Sequence, residues 1–446
     1  MNNIAEVVNK NLCCGCGTCV NVCPTKAIKM ITNSAGFIIP KIDETKCIYC
    51  GRCLKVCPGK GLPKEITKNN DLFFGKNISA YVGRATDKKI WKNGQSGGVA
   101  TALLCFLLDQ KLIDSAIVNQ FDKKSKRSVV KKIKTKKGLI NSQGSYYSQS
   151  SVNKIAVEKS SEKTAAIVLG CQAEGIELVK KFYKELKTPD YLIGLICGGT
   201  HSGLIIDDLI KQSKLNKKEI NSFRFRDKNY YHYPGSVLIR DKYQKKILSK
   251  QKRMDLKRVY GVYRCNLCFD RMNIYSDVVI GDPWGFTIEG LKDKGYSIFI
   301  SRTKKGEDLI RNAQKKNYII CKKVSINDVY AGQKVNFKFK KSFFMNRYFC
   351  KKNKLPFPNY ENHFKSYKIN ENTVSKKDLI YFFKLNVAKT FKEVEQLIKK
   401  SKSKTLLQRL IYFKNMIFKF FYENTFIGKI YKTIFLKNRN KKIFID

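Results

Sequence analysis

At 446 residues the chain is long enough for about three domains. Its 43% hydrophobic content supports a sizeable core and excludes a disordered tail. The 88 Lys and Arg against 36 Asp and Glu leave a net charge of +52, and although an AT-rich composition explains part of the lysine excess, the remainder creates a field that steers anionic partners. Acidic flavodoxins or ferredoxins, an anionic coenzyme, nucleic acid and an anionic membrane surface all fit that field. The 16 cysteines fall at metal spacings rather than in a secreted disulfide framework. No apolar run precedes Cys13, so no signal peptide is visible and a reducing cytoplasm is expected. The longest uncharged apolar-leaning run, Gly94–Leu108, is shorter than the about 20 residues a membrane-spanning helix needs. His201, His232 and His363 are read as structural.

The first element is a duplicated cysteine run. Cys13, Cys16, Cys19 and Cys23-Pro24 follow C-x2-C-x2-C-x3-C-P, and Cys47, Cys50, Cys53 and Cys57-Pro58 repeat it. This is the bacterial two-cluster 4Fe–4S pattern, in which the fourth cysteine of each run ligates the other cluster. Cys13, Cys16, Cys19 and Cys57 are therefore assigned to one cluster, and Cys47, Cys50, Cys53 and Cys23 to the other. Gly15, Gly17 and Gly51 allow close backbone approach. Structural zinc is the competing reading of C-x2-C pairs, but two complete runs with both prolines disfavour it. Cys14 lies outside the pattern and is read as a bystander. Ala27–Met30 and Phe37–Ile39 read as short strands around a turn at Asn33–Gly36.

After a polar linker, Gly59–Asp71, Ala80–Arg84 reads as a strand and Val99–Leu108 as an apolar helix. The turn Asn93-Gly94-Gln95-Ser96-Gly97-Gly98 opens that helix, with Ser96 as the expected N-cap. Such a turn can offer N–H groups to a phosphate, or be a tight helix entry with no ligand. Ala165–Leu169 is a strand, Glu174–Leu186 a helix, Tyr191–Ile196 a strand and Gly203–Leu215 a helix. The alternation predicts neighbouring parallel strands, with ligands beyond their carboxyl ends. Cys171 and Cys197 occupy those ends, and Cys265-x2-Cys268 follows. Four thiolates suffice for a third 4Fe–4S cluster; zinc and unrelated buried cysteines are the alternatives. Cys105 is read as a small core residue, and Cys321 and Cys350 lack cysteine neighbours in the sequence.

Gln95–Leu104 (QSGGVATALL), Gly144–Ser150 (GSYYSQS), Gly170–Gly175 (GCQAEG), Ile196–Gly199 (ICGG) and Cys265–Gly285 (CNLCFDRMNIYSDVVIGDPWG) occur in this order. Together they resemble the coenzyme F420 hydrogenase/dehydrogenase beta-subunit family over roughly residues 1–300. The resemblance implies an oxidoreductase with FAD and iron–sulfur clusters. It also implies that Ser96, Gly97 and Gly98 lie at the flavin and that Cys171, Cys197, Cys265 and Cys268 hold a cluster beside it; Asp282, after the predicted strand Ser276–Ile280, can face the flavin too or be a turn carboxylate. Family substrates include the deazaflavin F420 and chlorophyll derivatives, and members in bacterial polysaccharide gene clusters act on unidentified ones. Gly170 stands where the family commonly has proline, which suggests a looser turn.

The expected architecture is an α+β ferredoxin-like module (1–64), then an α/β flavoprotein body with a partly parallel sheet (75–155 and 156–335), then a basic, mainly helical extension (336–446). In the extension Leu406, Leu410, Phe413, Ile417 and Phe421 recur at helical spacing among lysines. Such a helix can lie on anionic lipid, bind a partner or pack on its own domain. No nucleic-acid motif accompanies the charge. A non-catalytic electron-transfer subunit and a membrane-surface or interaction protein are the alternatives to an enzyme.

Overall fold

The computed structural model describes residues 2–63, 66, 71–229, 234–288, 295–352, 354–360 and 442–443. In the N-terminal module, β1 (Ile28–Thr32) and β2 (Ile38–Ile42) form an antiparallel hairpin. The hairpin closes over the predicted turn, where the Asn33 N–H donates to Phe37 O and the Gly36 N–H to Asn33 O. Short helices Thr18–Asn21 and Arg52–Lys55 each follow a left-handed glycine, Gly17 and Gly51, one in each cysteine run.

The body is organised by one eight-stranded sheet in the order β13-β3-β12-β11-β7-β6-β4-β5. Its strands are β3 (Ser79–Ala85), β4 (Ser115–Asp122), β5 (Arg127–Ile133), β6 (Thr164–Val168), β7 (Tyr191–Leu195), β11 (Val278–Gly281), β12 (Ser297–Ser301) and β13 (Ile319–Val324). The central run β4, β6, β7, β11 is parallel, and β5, β12, β3 and β13 add antiparallel pairings around it. Strands from both expected halves of the body, on either side of residue 155, build this one sheet. Its inner strands β6, β7, β11 and β12 are short and apolar, as strands covered on both faces require. Alternation along each strand separates the two cores. Ala80, Val82, Ala166, Val168, Val279, Ile298 and Ile300 face one side, while Tyr81, Ala165, Val278, Ile280 and Phe299 face the other.

The second face is covered by helices Val99–Asp109 and Lys304–Lys315. The first is covered by helix Gly170–Phe182 and by Phe339, Phe343, Phe344 and Tyr360. The start of the expected extension is thus core material of the body. A smaller antiparallel sheet, β8 (Ser222–Asp227), β9 (Ser236–Arg240) and β10 (Lys245–Leu248), packs with helix Leu204–Ser213 on its own apolar cluster. Among the described residues no helix is long and apolar enough to cross a membrane. The expected basic helix around Leu406–Phe421 lies outside the described residues.

Candidate functional site

In the module the two cysteine runs interleave. A single cavity is lined by Cys47, Cys50, Cys53 and Cys23, with Ile28 and Ile42 of the hairpin behind them. Cys50 is exposed and Cys53 buried. The other four thiols, Cys13, Cys16, Cys19 and Cys57, lie close enough to repel one another as thiolates. Burial and then Cys16 push the Cys57 thiol up to about 12, and burial with Cys16, Cys13, Cys57 and Cys53 raises Cys19. N–H donors are already aimed at several sulfurs: Gly15 at Cys13 (3.4 Å), Ala27 at Cys23 (3.3 Å) and the Asn3 amide at Cys47 (3.7 Å). Such bonds favour the thiolate form that iron requires.

This inner quartet is pressed against the body. Gln149 accepts from the Ile38 N–H (2.9 Å) and donates to Cys14 O (3.2 Å), Ser151 donates to Gly15 O (2.9 Å), and the Asn153 N–H donates to Cys16 O (3.0 Å). The Asn153 amide also donates to Thr18 Oγ1 and Gln172 O, both at 2.8 Å.

Across that seam lies the second cysteine set. Cys171 sits in the first turn of helix Gly170–Phe182, which starts four residues earlier than its expected Glu174 because Gln172 reaches back to accept the Leu169 N–H at 2.8 Å. The turn is tight rather than loose: a Cβ on Gly170 would stand 2.4 Å from Asp270 O. Cys197 follows β7, and Cys265 and Cys268 fold over from the turn after Val262. The Gly199 N–H donates to Cys197 Sγ and the Thr200 N–H to Cys265 Sγ, both at 3.4 Å. A contact with the Cys14 thiol lowers Cys171, but burial and the sulfurs of Cys16, Cys268 and Cys265 push it up to about 12. Burial and then Cys265 raise Cys197 to about 11. Cys14, read from the sequence as a bystander, thus lies between Cys16 and Cys171. Among the described residues no three His, Cys, Asp or Glu side chains are grouped to hold a metal ion.

Near Cys197 stands a cluster of basic side chains, with Lys257 the nearest of them. Asp282 forms a two-pronged ion pair with the buried Arg226 guanidinium at 2.9 and 3.2 Å, and Arg226 also donates to Gln95 O (3.4 Å) and Tyr147 Oη (3.3 Å). Lys257 lies 4.4 Å and Arg253 5.2 Å from the Tyr147 ring centroid. Burial pushes the Tyr147 phenol up, but Arg226, Arg253 and Lys257 together hold it below its ordinary value. Lys228 Nζ donates to Trp91 O (2.5 Å) and Ser96 O (2.7 Å), and burial followed by Arg224 repulsion lowers its pKa to about 7. His201, whose Nδ1 lies 2.8 Å from Tyr147 O, is driven down to about 4 by burial and then Lys257. The Gln95 amide is buried with neither Nε2 nor Oε1 satisfied.

The glycine turn differs from its sequence reading. Gly98, left-handed at φ 74°, is the N-cap, while Ser96 Oγ lies 3.0 Å from Ser297 Oγ. Gly97 is committed to the sheet. Its N–H donates to Ser297 Oγ (3.0 Å), its carbonyl accepts from the Ala85 N–H (2.8 Å), and a Cβ there would meet Gly83 O at 2.6 Å. Gly97 therefore has no free N–H for a phosphate, and the polar side chain of this motif left without a partner is that of Gln95. Arg226, Lys228, Arg253, Lys257 and Tyr147 were not singled out from the sequence. Only Tyr147 lay within a recognisable motif.

A 4Fe-4S dicluster domain model matches residues 12–60. Models for the N-terminal and C-terminal parts of the coenzyme F420 hydrogenase/dehydrogenase beta subunit match residues 80–156 and 161–327. The chain is 28% identical to the coenzyme F420-dependent sulfite reductase of Methanocaldococcus jannaschii over 326 residues, 69% of this chain and 47% of that protein. It is 25% identical to the F420-dependent formate dehydrogenase subunit beta of the same organism, over 56% of this chain and 64% of that subunit. With the coenzyme F420 hydrogenase subunit beta of Methanococcus voltae it shares 27% identity over 58% of this chain and 88% of that subunit. The chain thus spans about half of the sulfite reductase and just under two thirds of the formate dehydrogenase subunit. A chain of the F420-reducing [NiFe] hydrogenase complex from Methanosarcina barkeri shares the fold, with a TM-score of 0.50 at 19% identity over 64% of this chain and 94% of that one. The two beta-subunit models between them take in more than half of the chain, and the protein belongs to the coenzyme F420 hydrogenase/dehydrogenase beta-subunit family.

Proposed function

We propose that this protein is an electron-transferring oxidoreductase that holds a third 4Fe–4S cluster on Cys171, Cys197, Cys265 and Cys268, and FAD beside the adjoining cation cluster. Its substrate class is a deazaflavin-type coenzyme or another small redox substrate. The supporting observation is the juxtaposition of a second thiol set, already receiving N–H donors, with a cation cluster built around Arg226 and the unsatisfied Gln95 amide. An isoalloxazine offers a donor and an acceptor side by side, which is what the paired Nε2 and Oε1 of Gln95 lack. When bound, the clusters would supply single electrons and FAD a two-electron hydride.

The chain's own residues supply position and electrostatics. Asp282 orients Arg226, so the guanidinium is held rigid beside the Gln95 turn. Arg253 and Lys257 keep the surroundings of Tyr147 positive, which favours an anionic ligand and stabilises added negative charge. Lys228 Nζ, with its pKa near 7, can hold or release a proton at neutral pH. Burial keeps His201 neutral at that pH.

Anaerobic purification followed by iron, sulfide and flavin analysis tests the reading. About twelve irons and one FAD per chain are expected. Gln95→Ala should weaken FAD retention, measured as flavin fluorescence released on dilution. Eight irons with no flavin bound after reconstitution would leave only the module's clusters and overturn the body assignment.

A further inference from the structure

The two thiol quartets of the module have opposite surroundings. The inner one, Cys13, Cys16, Cys19 and Cys57, is closed off by Gln149, Ser151 and Asn153 of the body. The outer one lines a cavity that opens at an exposed Cys50. The chain around this opening is built to present apolar surface: Ile48 is 63% and Tyr49 48% exposed. Tyr49 is held in the left-handed region at φ 50°, a conformation that residues other than glycine rarely adopt. Two bonds fix it there, from the Asn2 amide to Tyr49 O (3.1 Å) and from Tyr49 Oη to Glu44 (2.7 Å). Exposed aromatic and aliphatic side chains on a pinned loop are the usual centre of a protein contact.

Charge selects the partner. Residues 1–60 carry eight Lys or Arg against three acidic residues. All three acids are already engaged, Glu6 with Lys10 (2.7 Å), Asp43 with Lys46 (3.3 Å) and Glu44 with Tyr49. Exposed Lys26 adjoins the cavity lining, and Lys29 faces Lys41 across the hairpin, a like-charged pair that destabilises the free hairpin.

We propose that the Cys47–Cys50 loop is the docking port for an acidic one-electron carrier protein. Its core is Ile48 and Tyr49, and its basic rim is led by Lys26. One electron leaves the reduced carrier, which is oxidised, and reduces the Cys47, Cys50, Cys53 and Cys23 centre by one; no proton or group moves. This rests on the module holding its two clusters, but not on the third cluster or on FAD.

The test uses the full chain, purified anaerobically, with an acidic ferredoxin as probe. Calorimetric titration of the oxidised proteins should show binding that weakens about tenfold or more between low and physiological salt. In stopped flow, reduced ferredoxin should reduce the full chain at a rate with the same salt dependence. Tyr49→Asp should lower the ratio of ferredoxin-driven to dithionite-driven reduction by about tenfold, and Lys26→Glu by a smaller factor mostly in the on-rate. If Tyr49→Asp fails to retain iron, Lys26→Glu alone decides. Binding that is absent or indifferent to salt, or an unchanged ratio in both variants, overturns the port. Wild-type protein that retains no iron overturns the cluster reading beneath it instead.

Discussion

The two cysteine runs share one spacing, but the chain treats their third positions in opposite ways. In the inner run that residue is Gly15, at φ 74°, and a Cβ there would stand 2.8 Å from Ile38 O. In the outer run it is Tyr49, equally left-handed, with its side chain in solvent. The same turn geometry is imposed by the need to wrap thiols around one centre. Whether glycine is obligatory is decided by what stands outside the turn. The second position follows the same logic: Cys14 faces Cys16 and Cys171 in the seam, and Ile48 faces water. A symmetric motif has been placed asymmetrically, one centre toward the body and one toward solvent.

The largest effect that can break this comparison comes from the thiols. Cys57→Ser places a hydroxyl in the buried inner quartet. It should lose about four irons, and the module's melting temperature should fall further than in Cys50→Ser, whose site is solvent-facing. Iron analysis with thermal melting checks both. A chelator should likewise extract iron in two phases, the outer centre first. Next, Gly15→Ala should destabilise by roughly 1–3 kcal/mol, combining left-handed strain with the Ile38 clash, while Tyr49→Gly stays within about 1 kcal/mol. Equal effects in denaturant titrations would erase the distinction. Gln149→Ala removes two seam bonds and should cost roughly 1–2 kcal/mol, with faster amide exchange around Cys14 and Ile38. The smallest effect is expected of Cys14→Ala, which should leave the iron count unchanged. A loss of iron there would make Cys14 a ligand and redraw the seam.

Local signals made part of this legible in the sequence. The cysteine spacing, the Asn33–Gly36 turn and the parallel β6–β7 pair all rest on short-range patterns, and the structure pairs β6 with β7 as the alternation suggested. The helix over 170–182 was placed too late because its start depends on a glutamine reaching back to Leu169, a contact no periodicity reveals. The antiparallel additions β12, β3 and β13 pair residues more than 200 positions apart, which local pattern does not encode. The clustered cations were hidden differently. Arg226, Lys228, Arg253 and Lys257 are four among 88 basic residues, and only the tertiary fold gathers them around Tyr147 and Gln95.

That abundance of lysine has a second consequence at the margins of the large sheet. Its two outermost strands are β5 and β13, and each carries a Lys-Lys pair, Lys131-Lys132 and Lys322-Lys323. An outer strand leaves a row of backbone donors and acceptors that a neighbouring molecule can extend. Lys131, Lys322 and Lys323 are exposed there, so a second copy approaching either margin would bring like charges together. Lys132 is instead tied to Glu158 and Glu162 beside the β5 margin. The lysines that enlarge the protein's field also act as gatekeepers against self-association, and acetylating them would expose two adhesive margins at once.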